Sequence, residues 1–371
     1  WERPDHLRPG QPWRRAGAEQ RGFGWQPPPH ADRVAEEHRG FRERAGMIDM
    51  TSFGKIEVAG RGALALLERV CDNRIDRPVG SVVYTQFLNR RGGIVADVTV
   101  TRLDDRRFRV VTGAGTVDSD IGWLRLHADA GAVTIEDASE RLAVIGIWGP
   151  RARAVVQAVT ADDVSASAFP FGSARELRIG PARVLAQRIT YVGEVGFELY
   201  TAPELAVQVW DRLWTAGRPE GVVAAGYRVL DGLRSEKGYR YMGTDLGASD
   251  TPFEAGLGFC VALDKGDFIG REALADSSAQ TPGRRLRTLL VGDGRQLPLY
   301  GGEAVRLDGV AAARVRSSAY GFTVAATIAF AYLPAAVAHG TALEVEVLGR
   351  PVAARVAADV LYDPRHERAR G

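Results

Sequence analysis

Between Arg188 and Tyr200 the chain reads Arg-Ile-Thr-Tyr-Val-Gly-Glu-Val-Gly-Phe-Glu-Leu-Tyr. This stretch is built of β-formers and punctuated by Gly193 and Gly196, with Tyr191 and two carboxylates, Glu194 and Glu198, set among them. A strand that breaks at the glycines can turn Glu198 into a pocket. A glycine-rich hairpin with Glu198 in water fits the same pattern. In a pocket, a carboxylate laid against a flat, amide-like ring accepts two parallel N–H bonds.

The surrounding pattern is α+β, with helices laid on antiparallel sheet. Arg33 to Ala45 has helical character. Ile56 and Val58 alternate with Lys55 and Glu57 as a half-buried strand. Leu64, Leu67 and Val70 fall in helical register, and so do Ile121 and Leu124. Phe108, Val110 and Val111 form a strand, and Leu142 to Ile147 is a continuous apolar one. Pro203 to Ala216 reads as an amphipathic helix capped by Thr201, with Val207, Trp210 and Trp214 on one face and Gly217 at its end. Ala225 to Lys237 reads as another, stopped by Gly238. Ser277 to Arg285 has the composition of a linker. Beyond it Thr288–Val291, Ala304–Leu307, Leu343–Leu348 and Val352–Val360 are short strands of a small barrel or sandwich.

With 371 residues and 45% hydrophobic content the chain has ample core for two or three domains. A net charge of +2 gives no electrostatic case for nucleic acid. The two cysteines, Cys71 and Cys260, are too few for a disulfide framework or a zinc site and read as reduced thiols of a cytoplasmic protein. Trp1 to Arg15 is charged and Pro-rich, unlike a secretory signal. The uncharged run Ala319–Ala338 is interrupted by Gly321, Thr323, Thr327 and Pro334, so a strand and turn are favoured over a membrane span. The opening thirty residues, with Trp1, Trp13 and Trp25, read as an extended arm that packs on something larger.

Four segments carry candidate chemistry. In Tyr84–Val100 an Arg-Gly-Gly turn joins two strands, and Asp97 brings a charge into the second. It lies either on a solvent face or in a pocket that raises its pKa. The second segment is Tyr191–Glu198. In the third, Asp231–Tyr241, Asp231 and Arg234 stand one helical turn apart, so they either pair with each other or face a ligand. The fourth is Phe253–Phe259, which walls a pocket or fills a core. Gly113-Ala114-Gly115 lacks the third glycine of a dinucleotide loop and has Asp118 in its place. The six histidines are scattered, without metal-ligand spacing.

Taken in order, these segments resemble the aminomethyltransferase family, the T-protein of the glycine cleavage system and its relatives. The likeness is nearest to the folate-binding C-terminal half of dimethylglycine and sarcosine dehydrogenases. The motifs that carry it are Ile48–Lys55, Tyr84–Val100, Arg188–Tyr200, Gly226–Asp231, Glu236–Arg240, Phe253–Phe259 and Asp264–Glu272. The resemblance implies a three-domain cloverleaf around a central channel: two α/β domains and a C-terminal β-barrel. It divides the chain into an arm (1–33), a folate-binding region of two α/β subdomains (34–280) and the barrel (281–371). The family often has a Gly-Lys-Ser-like step where this chain reads Ala325-Ala326-Thr327, and a glycine at Ala331, in a region that borders the channel.

By motif match Asp97 falls on the family's catalytic aspartate. Tyr84, Thr99, Val111, Tyr191, Glu198, Arg234 and Phe259 fall on positions that line the tetrahydrofolate pocket, with Tyr191 and Glu198 at the pterin. No metal is implied. The expected function is transfer of an iminium, aminomethyl or N-methyl-derived carbon to tetrahydrofolate, giving 5,10-methylenetetrahydrofolate. Two alternatives stand beside it: transfer of an intact methyl group from a small metabolite, and a non-catalytic folate-binding subunit. These 371 residues show no counterpart of the dehydrogenases' flavin half, so either a flavin-dependent oxidase subunit supplies the iminium or the methylated-amine donor is a different one.

Overall fold

The computed structural model describes residues 25–278 and 282–371. Trp1, Trp13 and the expected boundary at 280/281 lie outside the described residues. Trp25 is inside them, and it packs on the barrel core with Arg350 5.5 Å from its ring centroid.

Helix α1 (Ala31–Glu43) and strand β1 (Gly46–Asp49) lead into β2 (Gly54–Ala59), α2 (Ala63–Val70), β3 (Val82–Leu88), β4 (Ile94–Arg102), β5 (Arg107–Thr112), α3 (Val117–His127) and β6 (Thr134–Asp137). Strands β2 to β6 form a five-stranded antiparallel sheet in the order β3-β4-β5-β2-β6. Alternation gives this sheet two faces. Ile56, Val58, Phe87, Ala96, Val98, Val100, Phe108 and Val110 point to α2 and α3 and make a dry core. The opposite face bears the polar residues of the site. It too is covered, so Lys55, expected on a solvent face, is fully buried and bonds to the Thr51 carbonyl at 2.8 Å. Burial lowers its pKa to about 8.

The chain continues through β7 (Ala143–Trp148), α4 (Ala152–Gln157), β8 (Ala174–Ile179), β9 (Ala182–Gln187), β10 (Gly196–Thr201), α5 (Pro203–Gly217), β11 (Val223–Ala224) and α6 (Arg228–Glu236). These strands and β1 make a six-stranded sheet, β11-β1-β7-β10-β9-β8. Its outer face packs on α4 and α5 through Met47, Ile145, Ile147, Phe197 and Leu199. Helix α5 departs from expectation. Val209, Leu213 and Gly217 are its buried residues, Trp210 and Trp214 only flank the core, and Val207 is 69% exposed. Leucine and alanine share the apolar stripe with the tryptophans and rotate it away from Val207. Thr201 belongs to β10, and the cap position is Ala202, which offers no side-chain bond.

Short helices α7 (Pro252–Ala255) and α8 (Arg271–Ser278) precede β12 (Arg284–Val291), β13 (Ala304–Leu307), β14 (Val310–Gly321), β15 (Ala326–Pro334), β16 (Ala342–Val347) and β17 (Arg350–Val356), with α9 (Glu367–Arg370) last. Strands β12–β17 close into a barrel. The expected linker is helical through Ser278 and already strand from Arg284. Ala319–Ala338 is the β14–β15 hairpin, and no helix among the described residues is long and apolar enough to cross a membrane. Ala325 sits in its turn at φ +51, where a glycine would rest at lower cost. Thr327 bonds to Leu297 N and the Arg295 carbonyl within the barrel. Buried Arg42 ties α1 to the rest: it bonds to Glu194 at 3.1 Å, Glu236 at 2.9 Å and the Val192 carbonyl at 2.6 Å.

Candidate active site

The β3–β4 register places Gln86 opposite Asp97 and Tyr84 opposite Thr99. Strand β5 adds Val111 opposite Thr99, and β2 adds Lys55 opposite Val111. Cross-strand partners share a face, so these side chains form one row facing away from the α2–α3 core. Asp97 keeps some solvent access although protein surrounds it, as befits a recess. Burial raises its pKa to about 7. Hydrogen bonds from Tyr84 and from Gln86 Nε2, the latter 3.3 Å from Oδ1, oppose that rise, and Asp72 adds to it. Tyr84 stacks on Phe259, ring centroids 6.4 Å apart.

The second carboxylate comes from β10. Gly193 makes the turn ahead of it at φ +84, and a side chain there would meet Lys237. Gly196 opens the strand, and a methyl there would overlap the Ile147 carbonyl oxygen and Trp148. That close approach seats β10 between β7 and β9. Glu198 then lies opposite Gly146 on one side and Gln187 on the other. It faces away from the α4–α5 core and is 8% exposed. Burial raises its pKa to about 7, against a hydrogen bond of 2.6 Å from the Tyr200 hydroxyl. Gln187 is fully buried, and neither amide atom has a partner. The other acid of the segment, Glu194, is structural: it takes Arg42, Arg368 and the Tyr362 hydroxyl.

The polar faces of the two sheets meet. Val111 and Tyr200 share one apolar cluster, and Arg109 of β5 lies 5.5 Å from the Tyr200 ring centroid. Tyr191 acts electrostatically on both Tyr84 and Arg234 and feels the Asp97 charge. It stacks on Tyr239 at 6.1 Å and donates to the Arg240 carbonyl at 2.8 Å. The structure therefore gathers Tyr84, Asp97, Thr99, Tyr191 and Arg234, with Val111 and Glu198 on the adjoining stretch. Two expected pocket residues differ in detail. Arg234 bonds to Asp245 at 3.0 Å, the Tyr239 carbonyl at 3.1 Å and Asp231 at 3.4 Å, so much of its guanidinium is held by protein. Phe259 is 78% exposed and forms a rim beside Tyr84, not a wall.

Residues 1–265 match the family model for the GCVT N-terminal domain, and residues 284–363 that for the glycine cleavage T-protein C-terminal barrel domain. The chain belongs to the glycine cleavage T-protein, or aminomethyltransferase, family. The aminomethyltransferase of Symbiobacterium thermophilum is 35% identical over 354 residues, covering 93% of each chain. Mitochondrial dimethylglycine dehydrogenase of Rattus norvegicus is 32% identical over 375 residues, covering 99% of this chain and 43% of that protein. The crystal structure of the glycine cleavage system aminomethyltransferase T from Bartonella henselae superposes with a TM-score of 0.81 at 25% identity, covering 93% of this chain and 96% of that one. The chain spans about two fifths of the length of the first curated relatives it matches.

Gln86, Asp72, Gln187 and Tyr200 also border this region, and no motif or spacing in the sequence singles out the first three. Asp72 is fully buried and accepts from Thr85 Oγ1 at 2.8 Å and Gln86 N at 2.9 Å, clamping β3 behind the site. The signal for Tyr200 was present, because it shares the inward face of β10 with Glu198 by simple alternation.

Proposed function

We propose that this aminomethyltransferase-family chain is a tetrahydrofolate-dependent transferase that takes an iminium or aminomethyl carbon of a methylated amine and forms 5,10-methylenetetrahydrofolate. The supporting observation is the pair of acids, Asp97 and Glu198, each turned away from an apolar core and each brought near neutrality by burial. The residues fit a reduced pterin. Glu198 accepts the Tyr200 hydroxyl, and the neighbouring Gln187 amide has a donor and an acceptor unspent. Such groups suit a ring edge carrying N–H and C=O. Tyr84 and Tyr191, gathered around Asp97, offer flat faces to such a ring.

In this reading Glu198 holds the ring through charge-assisted bonds of about 1.5–3 kcal/mol each, and Tyr200 keeps its carboxylate turned to receive them. Bound tetrahydrofolate supplies the nitrogen nucleophiles that take up the carbon. Asp97, with a pKa close to ambient pH, accepts a proton from the attacking nitrogen and returns one to the departing amine. As a carboxylate it also stabilises cationic charge on the arriving carbon. A flavin-dependent oxidase, as a separate subunit or a further part of a longer chain, would supply the iminium, in keeping with the name of the dehydrogenase relative.

The test is incubation with tetrahydrofolate and candidate methylated amines, with and without a flavin oxidase, reading the folate product by mass spectrometry. A methylene product that disappears in Asp97→Ala, with tetrahydrofolate still bound, is expected. A methyl product would instead indicate transfer of an intact methyl group. Turnover undiminished in Asp97→Ala would remove Asp97 from the chemistry.

A further inference from the structure

Each candidate acid has a glutamine directly across its hairpin, Gln86 opposite Asp97 and Gln187 opposite Glu198. The two pairs differ. Gln86 reaches its acid, with Nε2 3.3 Å from Oδ1, whereas both amide atoms of Gln187 are unpartnered. Gln86 is also fully buried, and its backbone N–H is clamped by Asp72 at 2.9 Å. The donor is therefore set in place before any substrate arrives.

We propose that Gln86 is a positioning residue for Asp97: its amide fixes the carboxyl's orientation and sets the pH at which it ionises. This deepens the proposed function and rests on it for the catalytic relevance of Asp97. It does not rest on it for the coupling between the two side chains.

The choice of a carboxamide has a physical reason. The groups that bear on Asp97 are Tyr84 and Gln86 from β3, Asp72 from the turn after α2, Cys260 from the turn after α7, and Tyr191 from the loop before β10. None of these is a cation. A lysine or arginine in place of Gln86 would pull the acid down by about 1–3 pH units and leave it mostly ionised at neutral pH. A neutral donor opposes desolvation only in part, so Asp97 stays able to gain and lose a proton near neutral pH. Gln86 Oε1 is buried and without a partner. With the amide turned over, that oxygen accepts the O–H of the protonated acid, so one side chain can serve both forms.

The experiment is a carboxyl-carbon NMR titration of the whole protein with labelled aspartate, the Asp97 signal being the one missing in Asp97→Asn. Gln86→Met keeps the volume and removes the donor, and Gln86→Leu does so with a different shape. Either folded variant should raise the Asp97 midpoint by about half to one pH unit, the effect of one neutral hydrogen bond to the charged form. Gln187→Met should leave that midpoint in place. A midpoint unmoved within about 0.2 units in the Gln86 variants would overturn the proposal, as would an equal shift in Gln187→Met. If Asp97→Asn kept full turnover while the midpoint moved as expected, the catalytic reading would fall and the positioning role would stand.

Discussion

Replacing Asp97 by asparagine should stabilise the protein, and by an amount that depends on pH. The folded protein holds the Asp97 proton to about pH 7, whereas the ordinary aspartate value is 3.8. Between those values the folded state binds more protons than the unfolded state, so stability falls as pH rises through the window. Below about pH 4 the acid is protonated in both states and the penalty vanishes. Above about pH 7 the penalty is fully present. The shift caps it at about 4 kcal/mol, and solvent entering the recess trims it to about 2–3 kcal/mol. Asparagine carries no charge and has nearly the same shape, so it removes the penalty at every pH. With an unfolding entropy of about 2.1 cal/mol/K per residue, the melting temperature should rise by about 3–4 °C at pH 8 and by nothing at pH 4. Paired thermal melts of the wild type and Asp97→Asn across pH 4–8 measure this directly. A difference that is flat with pH, or that shrinks above pH 6, would refute the claim that burial perturbs Asp97.

Tetrahydrofolate affinity should depend on pH through Glu198. The ring's N–H groups require the carboxylate, and a free-state pKa of about 7 makes binding about tenfold weaker at pH 6 than at pH 8; calorimetry should show this and show it abolished in Glu198→Gln, which binds weakly throughout. Arg42→Leu should cost about 3–5 kcal/mol, because it takes a shared cation from the buried carboxylates of Glu194 and Glu236 and a donor from the Val192 and Leu233 carbonyls; urea unfolding should recover part of the loss near pH 4.5, where acids with fewer cations beside them take up protons more readily. Gly196→Ala should cost about 1–3 kcal/mol, since the added methyl meets the fixed Ile147 carbonyl and not a side chain that can move aside; unchanged stability would mean that β10 does not sit so close to β7.

Periodicity alone located most of the elements, since an apolar stripe at helical spacing or a run of β-formers is a local property. It failed where a tertiary contact decided the outcome. Lys55 looked solvent-facing because its strand alternates cleanly, yet the second sheet covers that face. Alternation reports that two faces differ, not that one of them is wet. Asp97 and Glu198 were ambiguous for the same reason: an acid on the polar face of a strand reads identically whether that face meets water or another sheet. The motif resemblance, not the pattern, tipped both toward a pocket, and the packing of Arg109 over Tyr200 shows the physical cause. Gln86 was harder to see. Counting back from the Arg91-Gly92-Gly93 turn does not reach the Gln86–Asp97 pairing, because the register shifts between Phe87 and Leu88. A one-residue slip moves every side chain to the opposite face. The irregularity that hides the pair from sequence counting is thus the feature that puts the Gln86 amide, and not its neighbour Thr85, across from the acid.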